Sequence, residues 1–273
     1  MTFGIETQKS FVDTWECDEN NHLNIQFYWK RFGDAGQIFQ QMMNREPRAW
    51  VDRHVRYHRE LHAGTNTVVQ SATPSPHACL VHVLSGGENN TVSATALDQF
   101  DNHDGGATPG LDQIPDQAHP RSLPLEFLQP TDPQPMLDNG MGLLSQRSVV
   151  EPQECNHRGD LLDQHYISRF SHAAPAFWQH MGATRSWMDE QNLGSVAVEM
   201  KVTKHNSIHA GMMLEIASWL SQTNDKTLTF RHQVSEIGSQ RPLYSGGVTA
   251  LLMGLDTRRA IPLPDFIRNM KAT

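Results

Sequence analysis

One register pairs the two halves of this chain of 273 residues. Glu16-Cys17 aligns with Glu154-Cys155, Leu23 with Leu161, Gln26 with Gln164, Tyr28 with Tyr166 and Arg31 with Arg169. The alignment runs on without a gap through Phe32/Phe170, Ala35/Ala173 and Phe39/Phe177. Two weaker echoes follow in the same order: LHAG at 61–64 with IHAG at 208–211, and ATAL at 94–97 with VTAL at 248–251. A tandem duplication of this kind requires that whatever the chain folds into be built twice.

Each copy reads alike. A polar segment, TWECDENNHLN in the first half and PQECNHRGDLL in the second, leads into a helix. Its apolar and small positions recur at helical spacing: Tyr28, Phe32, Ala35 and Phe39, then Tyr166, Phe170, Ala173 and Phe177. Gly33 and Gly36, like Ala173 and Ala174, are expected to permit close approach of a covering surface. Strand-like runs follow: HVRYHRELHAG, TVVQSAT, CLVHVLS and TVSATALDQF, then VAVEMKVT, MMLEIASWLS, TLTFRHQVSE and GGVTALLMGL. A long helix followed by several antiparallel strands is an α+β unit in which the inner face of the sheet buries the helix. Between the copies, Pro, Gly and Asp recur too often for a helix or central strand. The expected organisation is a first domain at 1–101, a surface-lying linker at 102–140 anchored by Leu123, Leu125, Phe127 and Leu128, and a second domain at 141–273.

A formal net charge of −8 argues against nonspecific nucleic-acid binding. No apolar run reaches the length of a membrane span, the first residues lack a signal-peptide pattern, and the three cysteines form no CxxC pair. The expectation is a cytoplasmic protein.

The residues at the head of the first helix carry a family resemblance. Asp18, His22, Asn24 and Tyr28 match the DxxGHxNxxxY motif of the hotdog-fold thioesterases, specifically the 4-hydroxybenzoyl-CoA thioesterase-like group. DENNHLN also resembles the Asn/His motif of the acyl-ACP thioesterases. The resemblance covers both halves and implies a tandem (double) hotdog, each half a long central helix wrapped by an antiparallel sheet, with active sites in the seam between paired units. It further implies an acyl-CoA or other acyl-thioester as small-molecule partner, no cofactor, and possible assembly of double hotdogs into a homo-oligomer. Two departures stand out. Asn21 occupies the family's Gly position, which bears on the turn. In the second half Asn156 occupies the Asp position and Gly159 keeps the Gly, while Asp160 and Leu162 replace His and Asn.

Hydrolysis of a thioester needs a nucleophile or activated water and stabilisation of an oxyanion. By this resemblance Asp18 is the nucleophile or general base, and His22 and Asn24 orient it or the acyl carbonyl. The amides opening the helix, around Asn24 to Gln26, are the expected oxyanion donors. Helix capping is the plainer role for Asn24. In the second half Asn156 cannot act as a base, so Asp160 and Asp163 are the candidates there. Other readings of the same scaffold are an enoyl-thioester hydratase or dehydratase, whose HFPGxPxMPG signature is absent, and a noncatalytic acyl-CoA binding or sensing protein. Cys17 and Cys155 read as small buried residues rather than nucleophiles. His54, His58 and His62 invite a metal site, but on a strand neighbours four residues apart stand about 13 Å from one another, too far for one ion. Arg53, Arg56, Arg59, Arg231, Arg258 and Arg259 are candidate partners for the phosphates of coenzyme A.

Overall fold

The fold is that of a computed structural model describing residues 4–18, 20–74, 79–100 and 114–270. It divides into two compact units, Met1–Arg121 and Ser122–Thr273. The first contains β1 (Ile5–Phe11), α1 (Ile25–Met42), β2 (Trp50–Tyr57), β3 (Asn66–Ala72), β4 (Cys79–Gly86) and β5 (Thr91–Phe100). Its antiparallel sheet runs β1-β3-β4-β5-β2. The second contains α2 (Gln134–Asp138), β6 (Gly142–Val149), α3 (Asp163–His180), α4 (Arg185–Glu190), β7 (Leu193–Lys204), β8 (Met213–Thr223), β9 (Thr227–Glu236), β10 (Pro242–Gly254), β11 (Arg259–Ala260) and α5 (Asp265–Arg268). Its sheet repeats the order as β6-β8-β9-β10-β7, with β11 added against β10. Each unit is an α+β hotdog, and the chain is a tandem hotdog.

The helical stripe is buried in both copies: Tyr28, Phe32, Ala35 and Phe39 in α1, and Tyr166, Phe170, Ala173 and Phe177 in α3. Gly36 is not needed for close packing, because a Cβ there would meet the His82 ring at an ordinary 3.8 Å. The repeated Glu and Arg have a structural cause. Arg31 grips the buried Glu16 through two nitrogens, at 2.8 and 3.3 Å, and Arg169 holds Glu154 at 2.7 Å. Each Glu also accepts the amide that opens its single 3-10 turn, from Asp13 in one unit and Glu151 in the other. The pair thus pins the lead-in segment onto the helix.

Two details depart from the sequence reading. The run beginning at His54 leaves the sheet at Tyr57, so only its first part is strand. The ATAL/VTAL echo is not the structural equivalence. His58 and Arg59 donate to the Ser93 carbonyl as His205 and Asn206 donate to that of Leu243, so Ala94 corresponds to Tyr244, not Val248. A strand slipped by an even number of residues keeps its faces, so small-residue sequences match out of register.

Of the segment read as a linker, 102–113 lies outside the described residues. Ile114 and Ala118 are buried in the first unit, where Arg56 holds the carbonyls of Asp116 and His119 at 3.0 Å. Leu123 and Leu128 are buried in the second. There the amides of Ser122 and Leu123 donate to Glu199, and Lys201 donates to the carbonyls of Pro124 and Leu125. The buried polar face of β7 is therefore satisfied by the backbone of the strap that covers it. No helix among the described residues is long and apolar enough to cross a membrane.

Candidate functional site

The loop before α1 is a closed turn. The Asp18 amide donates to the His22 carbonyl at 2.8 Å and the Asn21 amide to the Asp18 carbonyl at 3.0 Å. Asp18 Oδ1 accepts the amides of Asn20 and His22 at 2.9 and 3.0 Å. Asn21 sits at φ 61°, in the left-handed region that Asn tolerates better than most side chains. The second unit repeats every part. Asn156 donates to the Asp160 carbonyl at 2.8 Å, Gly159 to the Asn156 carbonyl at 2.9 Å, and Asn156 Oδ1 accepts from Arg158 and Asp160 at 2.8 and 3.1 Å. Gly159 takes φ 84°. The Asn21 departure therefore leaves the turn intact. Asp18 and Asn156 share one task, holding the loop through an oxygen that carboxylate and amide both possess.

Asn24 is the N-cap of α1, its Oδ1 accepting the Gln26 amide at 3.2 Å. The Asn24 amide is itself bound to the Glu16 carbonyl at 2.9 Å. Two of the three amides expected to serve as oxyanion donors are thus already engaged. The head of α3 differs: Leu162 stands at the N-cap with no capping side chain, and Asp163 in its first turn lies 3.9 Å from Lys204 Nζ.

His22 has partners that motif reading did not supply. An isolated backbone bridge pairs it with His62, the Leu23 amide donates to the Leu61 carbonyl at 2.7 Å, and the two imidazoles meet edge to face at 4.9 Å. Glu60 Oε2 stands 3.4 Å from His22 Nε2. The LHAG echo was the available signal, because it marks the segment that crosses the loop. IHAG crosses the second loop in the same way, with Asp160 bridged to His209 and their side chains 3.8 Å apart and exposed. Ser207 takes the place of Glu60 there. His54, His58 and His62 do not form a series, since His54 is buried in β2 and His58 lies beyond its end.

Several other candidates have structural employment. Arg53 is buried and bidentate to Asp98 at 2.6 Å, and Arg56 is buried against the strap, so neither is presented to a phosphate. The three cysteines are free. Desolvation pushes the Cys17 and Cys155 thiols up and that of Cys79 to about 12, which keeps them un-ionised and poor nucleophiles. A cavity of about 390 Å³ lies at the far end of α1, lined by Phe39, Leu80 and Phe100 with Arg45 and Arg48. Roughly 20 Å of helix separates it from the loop, so it takes no part in that loop's geometry.

Comparison with known proteins agrees with this architecture. Residues 150–270 match the sequence profile of the Thioesterase-like superfamily. An acyl-ACP thioesterase from Bacteroides thetaiotaomicron superposes with a TM-score of 0.61 at 11% identity, over 89% of this chain and 96% of that one. A putative oleoyl thioesterase from Lactobacillus plantarum superposes with a TM-score of 0.59 at 10% identity, over 94% and 97% of the two chains. At such identities the likeness is one of fold. No curated protein sequence matches. Residues 150–270 thus carry the sequence pattern of the thioesterase-like superfamily, and the whole chain carries the tandem hotdog fold of the two thioesterases.

Proposed function

We propose that the chain is an acyl-thioester hydrolase whose water-activating groups stand at the head of α1. The observation that carries this reading is the His22–Glu60 pair, 3.4 Å apart and partly buried, formed where the crossing segment meets the loop fixed by Asp18 and Asn24. In this reading the Glu60 carboxylate takes a proton from water as its oxygen attacks the thioester carbon, and His22 orients the pair and passes the proton to the departing thiolate. Asp18 holds the loop through Oδ1; in the alternative in which Glu60 only positions His22, Asp18 would act as base or nucleophile through Oδ2. The Ile25 amide, the one of its group not engaged by the cap, and the positive end of the α1 dipole would face the oxyanion. In the second unit Asn156 keeps only the loop-holding task, and Asp160 and Asp163 are secondary candidates. The substrate class is an acyl group on coenzyme A or on an acyl carrier protein.

Thiol release from a panel of acyl-CoA and acyl-carrier thioesters tests the reading. Glu60→Gln and His22→Ala are each expected to lower kcat by about 100-fold, the usual scale of a lost general base. Asp18→Asn is expected to fold normally, because Asn156 holds the same turn with an amide oxygen, and to lose about 10-fold or less. No thiol release from any substrate would sink the hydrolase reading, and binding without turnover would favour a sensor. A full rate in Glu60→Gln together with a collapsed rate in Asp18→Asn would return the chemistry to Asp18.

A further inference from the structure

We propose that His22, Glu60 and His62 form a binding site for a divalent transition-metal ion of the Zn2+ class. Their donor atoms all lie within 4.8 Å of one another. The His22 Nε2 to Glu60 Oε2 separation of 3.4 Å is what a tetrahedral ion with bonds of about 2.0–2.1 Å imposes on two of its ligands. The third donor belongs to His62, an exposed side chain within the same 4.8 Å.

The backbone already sets the arrangement. The His22–His62 bridge places the two imidazoles directly across from each other. Glu60 lies two residues before His62 on the same crossing segment. His22 is further held by the turn that Asp18 Oδ1 closes, so the backbone cost of placing that ligand is met in folding. Two neutral imidazoles and one carboxylate are a donor set suited to Zn2+ and its neighbours in the first transition row, and three protein ligands leave a fourth position for water. The duplication supplies an internal contrast. In the second unit the corresponding positions are Asp160, Ser207 and His209, with the Asp160–His209 pair at 3.8 Å and a hydroxyl replacing the Glu60 carboxylate. One copy has three strong donors and the other two.

The site does not depend on the hydrolase reading. Were both to hold, the ion would occupy the same Nε2 and Oε2 that activate water, so metal binding and unassisted hydrolysis would compete.

The test is direct titration of the full chain with Zn2+ against a chromophoric chelator, and with Co2+ followed by its visible spectrum. One equivalent of micromolar or tighter affinity is expected, weakened at least 10-fold in His62→Ala and in Glu60→Gln and unchanged in His209→Ala. His62→Cys is expected to keep the ion and add a thiolate-to-Co2+ charge-transfer band, a readout that a folding defect would not produce. Far-UV circular dichroism checks that each variant is folded. Absence of binding up to millimolar Zn2+, or equal affinity in wild type and His62→Ala, would overturn the proposal, the latter assigning the ion to other histidines. Because metal binding is read without substrate, a failure here is distinguishable from a failure of the hydrolase reading.

Discussion

The two units share a backbone and differ in what fills it. In the first, Arg53 on β2 pairs with Asp98 on β5 across the ladder, and the guanidinium lies over the rings of Trp29 and Trp50 at 5.5 and 4.7 Å. In the second, the corresponding ladder pair is Met200 with Val248, and Ile167 replaces Trp29. Burial alone would raise the Asp98 carboxyl, but the charge and hydrogen bonds of Arg53, together with His82, outweigh it and hold the group down at about 2. One scaffold accepts an ionic core or an apolar one, provided both partners change together.

A second contrast lies beneath the helices. In each unit a hydroxyl chain ends on a buried histidine: Thr7–Ser71–His82 in one, Ser145–Ser218–His232 in the other, each with an oxygen-to-Nδ1 distance of 2.7 Å. His82 has Asp98 at 3.5 Å, whereas His232 has the ring of Phe170 stacked on it and that of Phe230 at right angles. Phe170 stacks on His232 at 4.2 Å, while Phe32 stands 5.8 Å from His82. The closer approach is permitted by Gly246, where a Cβ would fall 2.2 Å from the Phe170 ring; the first unit has Ala96 at that position.

The largest expected effect breaks the ionic core. Arg53→Met alone should destabilise by about 3–5 kcal/mol in denaturant unfolding, because it strands the Asp98 carboxylate. Arg53→Met with Asp98→Val, copying the second unit, should recover most of that loss; a double variant no better than the single one would show that the two cores are not interchangeable. Next, Gly246→Ala should cost about 3 kcal/mol by overpacking against Phe170, while the reciprocal Ala96→Gly should cost about 1 kcal/mol. Equal costs would mean that the rings adjust freely. A third effect is one of pH. Desolvation lowers His232 to about 3, so the unfolded chain, with His near ~6.5, takes up the proton first as the pH falls. Its contribution is complete above ~6.5 and declines toward pH 3, by about 2 kcal/mol between pH 7 and pH 5. His58, His165 and His205, lowered by partial burial, act in the same direction. Removing His232 as His232→Gln should flatten that slope, and an unchanged slope would assign it to the other three.

Much of this architecture was legible before any coordinates, for identifiable reasons. The helical stripe from Tyr28 to Phe39 and its copy read correctly because a buried helix face has a period that matches only one geometry. The lead-in read as a polar turn because Asn24 and Asp18 are residues that bond nearby amides. Strand equivalence was less legible, since alternation with a period of two permits even-numbered slips, and ATAL resembles VTAL without occupying the same place in the sheet. Arg53 and Arg56 read as candidate phosphate partners because nothing in their neighbourhood announces Asp98 or the strap carbonyls.

The sequence by itself determined that one unit is built twice, which faces its helices bury, and that a carboxylate or amide closes each loop. Those features depend on residues within a few positions of one another or on an exact repeat. Only the tertiary structure decided that Glu60 and His62 meet His22, that Arg53 and Asp98 neutralise each other, and that Phe170 lies on His232. Each of those pairings joins segments far apart in the chain, and whether two such side chains meet is set by strand register and helix seating rather than by local order along the sequence.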